Sequence, residues 1–584
     1  MIGERELNSS TNWTWQFANA VESALAPMLA RWSELEAIPG AKILKQNLLR
    51  TVIAVPATDR LPALIVKRYR SRDLWEQCKY WFLPSRAARE WEALRHLAAS
   101  GVTGPRALAM GECRASGRLV GAGLIMEQIT DGDPAPRWLE LRSVPPDDAK
   151  ATSLRADRRA VLAALGREVA RLHAAGVDHT DLHAGNLLVA APAPSGTGPR
   201  IWILDLHATY IGVALPAARR LANLARLSHS LIGSTDLSER LAMVAAYLSE
   251  PSVGNTLGEA AHVLDLLESR AERIESIRLA SRSKRCWQNS SDFHHLRRGS
   301  LRIWHRREVP QAALISFSEE TPSFTKIFKQ RADTVVGVTQ LDVGARVLDI
   351  VVKTRRLTSL LARLAYRFYP GPLERAWGAA RALEVRGIPT PRALALLVQR
   401  RWGLPVRAVL VTELVSNAKP LHTQLWEEYR APRTRSRRAL YAQIRAIAEM
   451  VRRLHDTGIY HRDLNPMNLL VARESAAAAW TAQLVDLDSI HLGRRLTQRR
   501  RQKNLVQLGL LPEGHITVRD KLRFLRDYDR GEGRYWNRTW IAELARQLGE
   551  ETVRLIEKLC REEQHAAARA QAAARSQASP ERGV

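Results

Sequence analysis

The sequence is poor in cysteine, in long apolar runs and in acidic residues relative to basic ones. Its four cysteines are widely spaced along 584 residues, which excludes a disulfide framework and a metal site built from neighbouring thiolates. No apolar run approaches the roughly 18 residues of a membrane-spanning helix. The opening residues are polar and lack the pattern of a signal peptide. We therefore expect a cytoplasmic protein, either soluble or peripheral to a membrane.

The shortage of acidic side chains leaves a formal net charge of +28 at pH 7. A charge of this size favours an anionic partner, and nucleic acid and anionic lipid both qualify. The 16 tryptophans favour lipid, because tryptophan is enriched at membrane interfaces. We therefore expect an anionic membrane surface as a candidate partner, and no nucleic acid.

One polar motif is present twice, as HTDLHAGNLLV and as HRDLNPMNLLV. A short apolar run follows each copy and leads to a second aspartate, at nearly the same distance in both. An aspartate, an asparagine and a later aspartate in this order are typical of the catalytic loop and metal-binding aspartate of kinase-like phosphotransferases. The shared residues are His179, Asp181, Asn186 and Asp205 in the first copy, and His461, Asp463, Asn468 and Asp486 in the second.

These residue types match the chemistry of phosphoryl transfer. Asp181 and Asp463 are candidate catalytic bases, because a carboxylate can accept a hydrogen bond from the attacking hydroxyl group. The candidate magnesium ligands are the hard side-chain oxygens of Asn186, Asp205, Asn468 and Asp486. The alternative interpretation is that all of these are turn and cap residues, but two copies followed by the same strand pattern favour catalysis.

Matching segments surround the motif in both halves of the sequence. LPALIVKRYR contains Lys67 and VLDIVVKTRR contains Lys353, each at the end of an apolar strand pattern. Glu127 and Glu413 are separated by the same number of residues as the two lysines. This spacing indicates an internal duplication, and we expect all four side chains to bind the nucleotide. The alternative for each lysine is a strand-edge position that extends into solvent.

A helix predicted after Lys67 carries Glu90, which is available to pair with that lysine. In the second half the corresponding position is Ala376, and the nearest glutamate is Glu374. Two helical residues span about 200°, so Glu374 points from another face of its helix. Neither half has a G-x-G-x-x-G loop, which departs from eukaryotic protein kinases and favours small-molecule phosphotransferases.

Predictions can also be made for three other segments. Residues 12–38 are predicted to form an amphipathic helix. The aromatic and basic stretches at 74–84 and 360–370 suit the boundary between acyl chains and anionic headgroups, or else the packing of a sheet against its own helix. Both interpretations of these two stretches remain open.

Several short segments together resemble the bacterial lipopolysaccharide kinase family, namely IVKRYR, GVTGPRALA or GIPTPRALA, and the two catalytic motifs. The resemblance covers roughly residues 40–250 and 300–530. It implies an α+β fold of two tandem bilobal protein-kinase-like domains, each with a small β-rich lobe and a helical lobe. It also implies an ATP- and magnesium-dependent kinase acting on a sugar hydroxyl, of Kdo or heptose, in the lipopolysaccharide inner core at the cytoplasmic face of the inner membrane.

The expected domains are residues 1–280 and 326–561. An Arg-rich linker with lead-in strands at 281–325 separates them, and an Ala/Arg-rich tail at 562–584 is expected to be disordered. Two other functions remain open, because a kinase-like fold does not define its acceptor. One is a kinase for another small-molecule or protein hydroxyl, and the other is a nucleotide-binding regulatory pseudokinase in one or both halves.

Overall fold

The computed structural model describes most of the chain between residues 12 and 550. The internal gaps are residues 19–20, 72–73, 144–150, 191–197, 213, 252, 254–256, 320–321, 345, 431–436, 474–477, 494, 511–515, 531–536 and 538. The tail that we expect to be disordered, 562–584, lies outside the described residues. The chain divides into two compact units, Met1–Glu275 and Ser276–Val584.

The first unit contains a six-stranded antiparallel sheet. Its strands are β1 Asn12–Phe17, β2 Lys42–Gln46, β3 Arg50–Val55, β4 Leu64–Arg70, β5 Ala107–Ala115 and β6 Arg118–Glu127. Their spatial order is β1-β5-β6-β4-β3-β2. Side chains alternate between the two faces of β4, so that Leu64 and Val66 lie on one face while Lys67 and Tyr69 lie on the other.

Helices and short strands make up the rest of this unit. The helices are α1 Glu22–Leu29, α2 Leu74–Lys79, α3 Arg86–Ala99, α4 Ala135–Leu141, α5 Ala151–Ala174, α6 Ala217–Leu231, α7 Leu237–Leu248 and α8 Ala260–Lys284, which continues past Glu275 into the second unit. The short strands are β7 Gly132–Pro134, β8 Val177–His179, β9 Leu187–Ala190, β10 Arg200–Ile203 and β11 Thr209–Ile211. They pair in two small sheets, of order β10-β9-β7 and β11-β8.

Two apolar clusters stabilise the first unit, one on each face of the large sheet. The larger cluster joins the Lys67 face to α3 and to helices α5, α6 and α7. The smaller cluster covers the opposite face with α1 and the aromatic residues of the N-terminal segment. Because Lys67 lies on the face that meets the helices, its ammonium group is directed into the interior of the unit.

The prediction of one helix over residues 12–38 is wrong. Asn12–Phe17 is a strand, only Glu22–Leu29 is an α-helix, and Trp32–Ala37 is a 3-10 helix. The aromatic residues of β1 alternate with polar ones, which is the two-residue period of a strand. Trp15 and Trp32 pack edge to face with ring centroids 4.8 Å apart. This packing needs glycine beneath it, because a Cβ at Gly123 would lie 2.3 Å from the Trp32 ring.

The second unit has a seven-stranded antiparallel sheet. Its strands are β12 Phe293–Arg298, β13 Leu301–Arg306, β14 Lys326–Gln330, β15 Thr334–Asp342, β16 Val347–Arg356, β17 Ala393–Arg401 and β18 Leu404–Glu413. The order is β12-β13-β17-β18-β16-β15-β14, which is the order of the first sheet with one strand added at its edge. The segment expected to be a linker with lead-in strands, 281–325, thus contributes β12 and β13 to this sheet.

The remaining elements of the second unit also follow those of the first. The helices are α9 Gln311–Glu319, α10 Leu360–Phe368, α11 Pro372–Glu384, α12 Leu421–Arg430, α13 Arg437–Asp456, α14 Gln498–Gly509 and α15 Val518–Asp529. The short strands are β19 Ala418–Pro420, β20 Ile459–His461, β21 Leu469–Ala472, β22 Thr481–Leu484 and β23 Ile490–Leu492. Both units therefore combine helices with antiparallel sheets in an α+β arrangement.

The two aromatic stretches are mostly on the surface. In the first, Tyr80 is buried but Phe82 is 88% exposed. In the second, α10 has no buried residue, and Phe368 is 81% exposed. Most of the described side chains in these stretches are therefore exposed, although α2 and α10 lie against strands β6 and β18 of their sheets. In the part of the chain that the structure describes, no helix is long and apolar enough to cross a bilayer.

Candidate active site

In the first unit, hydrogen bonds join the catalytic motif to the strand that leads to the second aspartate. The Asn186 side chain donates from Nδ2 to the Asp181 carbonyl oxygen over 3.0 Å. The Leu204 N–H donates to the Asn186 carbonyl oxygen over 2.9 Å. His179 is fully buried, with Nε2 3.1 Å from the Leu204 carbonyl oxygen. These contacts hold the loop in place while the Asp181 carboxylate stays 56% exposed.

The second aspartate has a rare backbone conformation in both units. Asp205 has φ 58° and ψ 57°, and Asp486 has φ 58° and ψ 55°. Both lie in the left-handed region, which residues other than glycine seldom adopt. Strain of this kind persists only where the surroundings impose it, and it concentrates at functional sites. The matching outliers indicate that both aspartates are under the same constraint.

Three side chains surround the Asp205 carboxylate, and two of them, Arg50 and Lys67, are cations. Arg50 Nη1 lies 2.8 Å from Oδ1, Lys67 Nζ lies 3.0 Å from it, and His207 Nδ1 lies 2.9 Å from it. Burial alone would raise the pKa of Asp205, but the hydrogen bond to His207 and the charges of Lys67 and Arg50 hold this pKa well below its usual range. The carboxylate is therefore ionised at neutral pH.

Helix α3 brings Glu90 to the lysine, as its sequence position suggested. Ser85 caps this helix by accepting a hydrogen bond from the Ala88 N–H. Glu90 Oε1 lies 2.6 Å from Lys67 Nζ, and Glu90 Oε2 accepts a hydrogen bond of 2.8 Å from the Tyr69 hydroxyl. Burial alone would lower the pKa of Lys67, but the two carboxylates raise it. The buried lysine thus stays protonated and is held between Glu90 and Asp205.

The second unit repeats the loop but not its surroundings. Asn468 Nδ2 donates to the Asp463 carbonyl oxygen over 2.9 Å, as Asn186 does in the first unit. The Asp463 carboxylate also accepts hydrogen bonds from two amides, Asn465 Nδ2 at 2.9 Å and Asn468 Nδ2 at 3.3 Å. The candidate base of this unit is therefore engaged by its own loop.

In the second unit, the described ion pair of the lysine is with the second aspartate alone. Lys353 Nζ lies 2.6 Å from Asp486 Oδ1. Glu374 instead caps the start of α11, where its carboxylate accepts a 2.6 Å hydrogen bond from the Gly371 N–H. Ala376, which occupies the position of Glu90, is buried. The different helix face expected for Glu374 is thus observed.

Glu127 and Glu413 end the strands next to the two lysine-bearing strands. Their carboxylates do not extend to the lysines but pair with arginines, Glu127 with Arg106 over 2.9 Å and Glu413 with Arg392 over 3.2 Å. In each unit the arginine belongs to the Pro-Arg-Ala-Leu-Ala segment, whose last three residues begin the neighbouring strand. These glutamates therefore stabilise the end of the sheet, and their candidate role in nucleotide binding stays a prediction.

Sequence reasoning missed two features of the site. One is Arg50, which precedes Asp205 by 155 positions and has no pattern that marks it. The other is a buried pair in the helical part of each unit: His173 Nδ1 lies 2.8 Å from the Tyr247 hydroxyl, and His455 Nδ1 lies 2.8 Å from the Tyr528 hydroxyl. The second feature left a signal, because both histidines begin the repeated segment that leads into the motif.

The residues present fit a magnesium ion only together with a nucleotide. The described residues contain no group of three or more His, Cys, Asp or Glu side chains arranged to hold a metal. Each site instead offers one carboxylate and one amide oxygen, from Asp205 and Asn186 or from Asp486 and Asn468. Magnesium commonly takes one or two protein oxygens and completes its shell with phosphate and water. The donor set therefore matches a magnesium–nucleotide complex.

Comparisons with known proteins agree with this geometry. The family model "Lipopolysaccharide kinase (Kdo/WaaP) family" matches residues 64–247 and 353–528, which is more than half of the chain. The lipopolysaccharide core heptose(I) kinase WaaP of Pseudomonas aeruginosa is 34% identical over 162 residues, covering 26% of this chain and 58% of that protein. A 3-deoxy-D-manno-octulosonic acid kinase of Vibrio cholerae is 28% identical over 154 residues, covering 26% and 56%.

The chain thus spans about half the length of the curated relatives it matches. A solved structure of WaaP in complex with acyl carrier protein has 23% sequence identity and a TM-score of 0.34, covering 45% of this chain and 99% of that one. The two family matches contain the lysine, the catalytic motif and the second aspartate of each unit, and they confirm the resemblance noted in the sequence. The chain belongs to the lipopolysaccharide kinase (Kdo/WaaP) family.

Proposed function

We propose that this protein is an ATP-dependent kinase that phosphorylates a sugar hydroxyl of the lipopolysaccharide inner core, on Kdo or heptose. The observation that carries the proposal is the Glu90–Lys67–Asp205 network beside a loop that exposes Asp181. Such a network positions a nucleotide, and the exposed carboxylate positions an acceptor. The names of the relatives supply the acceptor class.

Each side chain has a role that follows from its contacts. The Asp181 carboxylate would accept the hydrogen bond of the attacking hydroxyl, because its described ion-pair partner, His183, is 3.9 Å away and leaves room for a substrate. Lys67, oriented by Glu90, would bind the phosphates of ATP. Asn186 and Asp205 would hold magnesium, which supplies positive charge to the phosphates in the transition state.

We further propose that each unit is a two-lobed kinase domain that arose by internal duplication. The large sheet with its lysine forms the small lobe, and the helices with the catalytic loop form the other. The repeated strand order and the matching positions of Lys67 and Lys353 support this proposal. The domain limits of about 1–280 and 326–561 stay a prediction, and the lead-in segment 281–325 belongs with the second domain because β12 and β13 lie in its sheet.

A phosphorylation assay with the full-length chain tests the proposed acceptor. Purified protein, magnesium and ATP would be incubated with lipid A precursors that carry Kdo alone or Kdo with heptose, and phosphate transfer would be followed by mass spectrometry. We expect phosphate on one of the two sugars. Transfer to an aminoglycoside or to a peptide, with none to either sugar, would contradict the proposal.

One observation favours a second function for the second unit. Asp463 is engaged by Asn465 and Asn468, and Lys353 lacks the helix glutamate because Ala376 takes its place. A regulatory unit that binds nucleotide without turnover fits this arrangement. Nucleotide binding to the full-length chain, measured by calorimetry, would then show two sites while only one supports turnover.

We also propose that the protein associates with an anionic membrane surface through its aromatic stretches. Leu361 and Phe368 are exposed on α10, next to the exposed Arg367. Apolar side chains that enter the acyl boundary beside a cation gain both hydrophobic and electrostatic energy. The net charge of +28 acts in the same direction.

Binding to vesicles that contain phosphatidylglycerol tests this surface. The double variant Leu361→Ser and Phe368→Ser should bind about a hundredfold more weakly or worse, because each buried apolar side chain is worth about 1.5–3 kcal/mol. Val518→Ser removes an equally exposed apolar residue from α15 and serves as the matched control. Raised salt should also release the protein. Unchanged vesicle binding by the double variant would contradict this role for α10.

A further inference from the structure

Arg50 is the first residue of β3 and donates from one guanidinium nitrogen to both oxygens of the Asp205 carboxylate. Its Nη1 lies 2.8 Å from Oδ1 and 3.2 Å from Oδ2, and its side chain is 12% exposed. Arg50 pairs with Tyr69 across the sheet, two positions from the pair of Val52 with Lys67. Residues opposite each other share a face, so Arg50 and Lys67 project from the same side of the sheet.

The hairpin that carries Arg50 has no glycine-rich phosphate loop, and the lysines of its other strand, Lys42 and Lys45, are exposed. Residues 42–55 contain no glycine. In a glycine-rich phosphate loop, the absence of side chains lets the backbone N–H groups approach the phosphates closely. A guanidinium group is the usual substitute, because its forked donors match the oxygens of a phosphate. Arg50 is a cation of this hairpin that lies beside the second aspartate, so it is in reach of phosphates bound there.

The present partner of Arg50 cannot remain its partner when the site is loaded. A divalent cation on Asp205 would stand beside the guanidinium group, and the two positive charges would repel each other. The nearest new anions would be the phosphates that arrive with the metal. Arg50 would then lose one anionic partner and gain another without leaving the site.

We propose that Arg50 is a phosphate-binding residue of the first unit, which exchanges the Asp205 carboxylate for the nucleotide phosphates when magnesium–ATP binds. The inference rests on the proposed function and deepens it, because it assigns a residue outside the family motifs to the nucleotide. In the absence of nucleotide, the positive charge of Arg50 compensates the negative charge of the Asp205 carboxylate and holds that carboxylate in position.

The second unit provides an internal comparison. Val336 pairs with Lys353 as Val52 pairs with Lys67, so Thr334 occupies the position of Arg50. The threonine has no charge to offer a phosphate. Arg50 is thus a feature that the duplication did not preserve, and Arg50→Thr converts the first unit to the second at this position.

Nucleotide binding by the full-length chain tests the proposal without measuring turnover. The variants would be made in an Asp486→Asn background, which removes the metal ligand of the second unit, and affinities for adenosine, Mg–ADP and Mg–ATP would be measured by calorimetry. We expect Arg50→Thr to weaken Mg–ATP about tenfold to a hundredfold, the loss typical of a charge-assisted contact, and to leave adenosine unchanged. Arg50→Lys should recover part of the loss.

Arg70→Thr is the matched control, because it removes the same charge from an exposed position of the adjacent strand, on the opposite face to Lys67. It should leave all three affinities unchanged. If Arg50→Thr binds Mg–ATP as tightly as the parent chain or more tightly, Arg50 only restrains Asp205 and the proposal is overturned, whereas the proposed function stands. If the parent chain binds no Mg–ATP, the proposed function fails and this inference fails with it.

Discussion

The lysine–aspartate pair of the first unit is enclosed, whereas the equivalent pair of the second unit is open. The side chains of Lys67 and Asp205 are 9% and 18% exposed, but those of Lys353 and Asp486 are 28% and 46% exposed. The catalytic motifs of the two units are nearly the same in sequence. The difference therefore arises in the residues that surround the motif.

Substitutions at three surrounding positions explain this difference. Glu90 becomes Ala376, Arg50 becomes Thr334, and His207 becomes Asp488. The last change places a second carboxylate beside Asp486, and burial together with the charge of Asp486 raises the pKa of Asp488. The first site thus places two cations, Arg50 and Lys67, against its aspartate, whereas the described ion pair of Asp486 is with Lys353 alone and a second carboxylate lies nearby. The catalytic motifs are therefore alike in the two units, whereas the charges around them differ.

The largest expected effect is a difference between the two candidate bases. Asp181→Asn should lower kcat of the full-length chain about a thousandfold, because the acceptor hydroxyl loses its hydrogen-bond acceptor. Asp463→Asn should lower kcat less than twofold, because that carboxylate is already engaged by two amides. Steady-state phosphate transfer measures both, with nucleotide affinity as the control for folding. Equal losses of kcat in the two variants would indicate that both units catalyse phosphate transfer.

The next effect concerns the glutamate that only the first unit has. Glu90→Gln should lower kcat/KM about tenfold to a hundredfold, because Lys67 loses the charge that orients it. Stability should also fall by about 1–3 kcal/mol, since Glu90 accepts hydrogen bonds from Lys67, Tyr69 and the Leu206 N–H. Steady-state kinetics and thermal melting separate the two effects. An unchanged kcat/KM would mean that Lys67 needs no such partner.

A third prediction concerns a feature that the two units share. Burial lowers the pKa of His173 and of His455 to about 3. Between pH 6.5 and pH 3 the unfolded chain therefore binds more protons than the folded chain, so stability is complete above about pH 6.5 and falls as the pH is lowered through this range. At pH 5 the loss is about 2 kcal/mol for each histidine, from about 1.4 kcal/mol per pH unit.

Thermal melting between pH 7.5 and pH 5 measures this loss. His173→Gln or His455→Gln should make the melting temperature depend less steeply on pH, although each also loses stability at pH 7.5 because its contact with tyrosine is removed. If the slope is unchanged in both variants, other groups cause the acid sensitivity. If only one variant makes the melting temperature depend less steeply on pH, the two units differ in this buried pair as well.

The smallest expected effect is at Glu374. Its carboxylate caps α11 and does not contact Lys353, so Glu374→Ala should cost about 0.5–1 kcal/mol of stability and leave nucleotide affinity unchanged. Calorimetric titration with Mg–ATP measures the nucleotide affinity, and thermal melting measures the loss of stability. Weaker nucleotide binding would indicate that Glu374 reaches the lysine after a local shift of the helix.

Much of the site was predictable because its motifs are local. The Asp-to-Asn spacing and the apolar strands that follow it are readable from the chain, and so is the helix position of Glu90. The N-terminal segment was misassigned as a helix, although its alternating aromatic residues carry the period of a strand. The strand forms because β5 offers an edge and Gly111 and Gly123 leave space for tryptophan rings, and neither condition is visible near residue 12.

By itself the sequence determined the family, the repeated segments and the identity of the catalytic and metal-binding candidates, because these depend on residue type and spacing along the chain. Only the tertiary structure decided which charges meet. Arg50 reaches Asp205 across 155 positions, Glu127 turns to Arg106, and α10 is left on the surface. The physical reason is that an electrostatic contact depends on distance in space and on exclusion of water, and both are set only when the sheet packs against the helices.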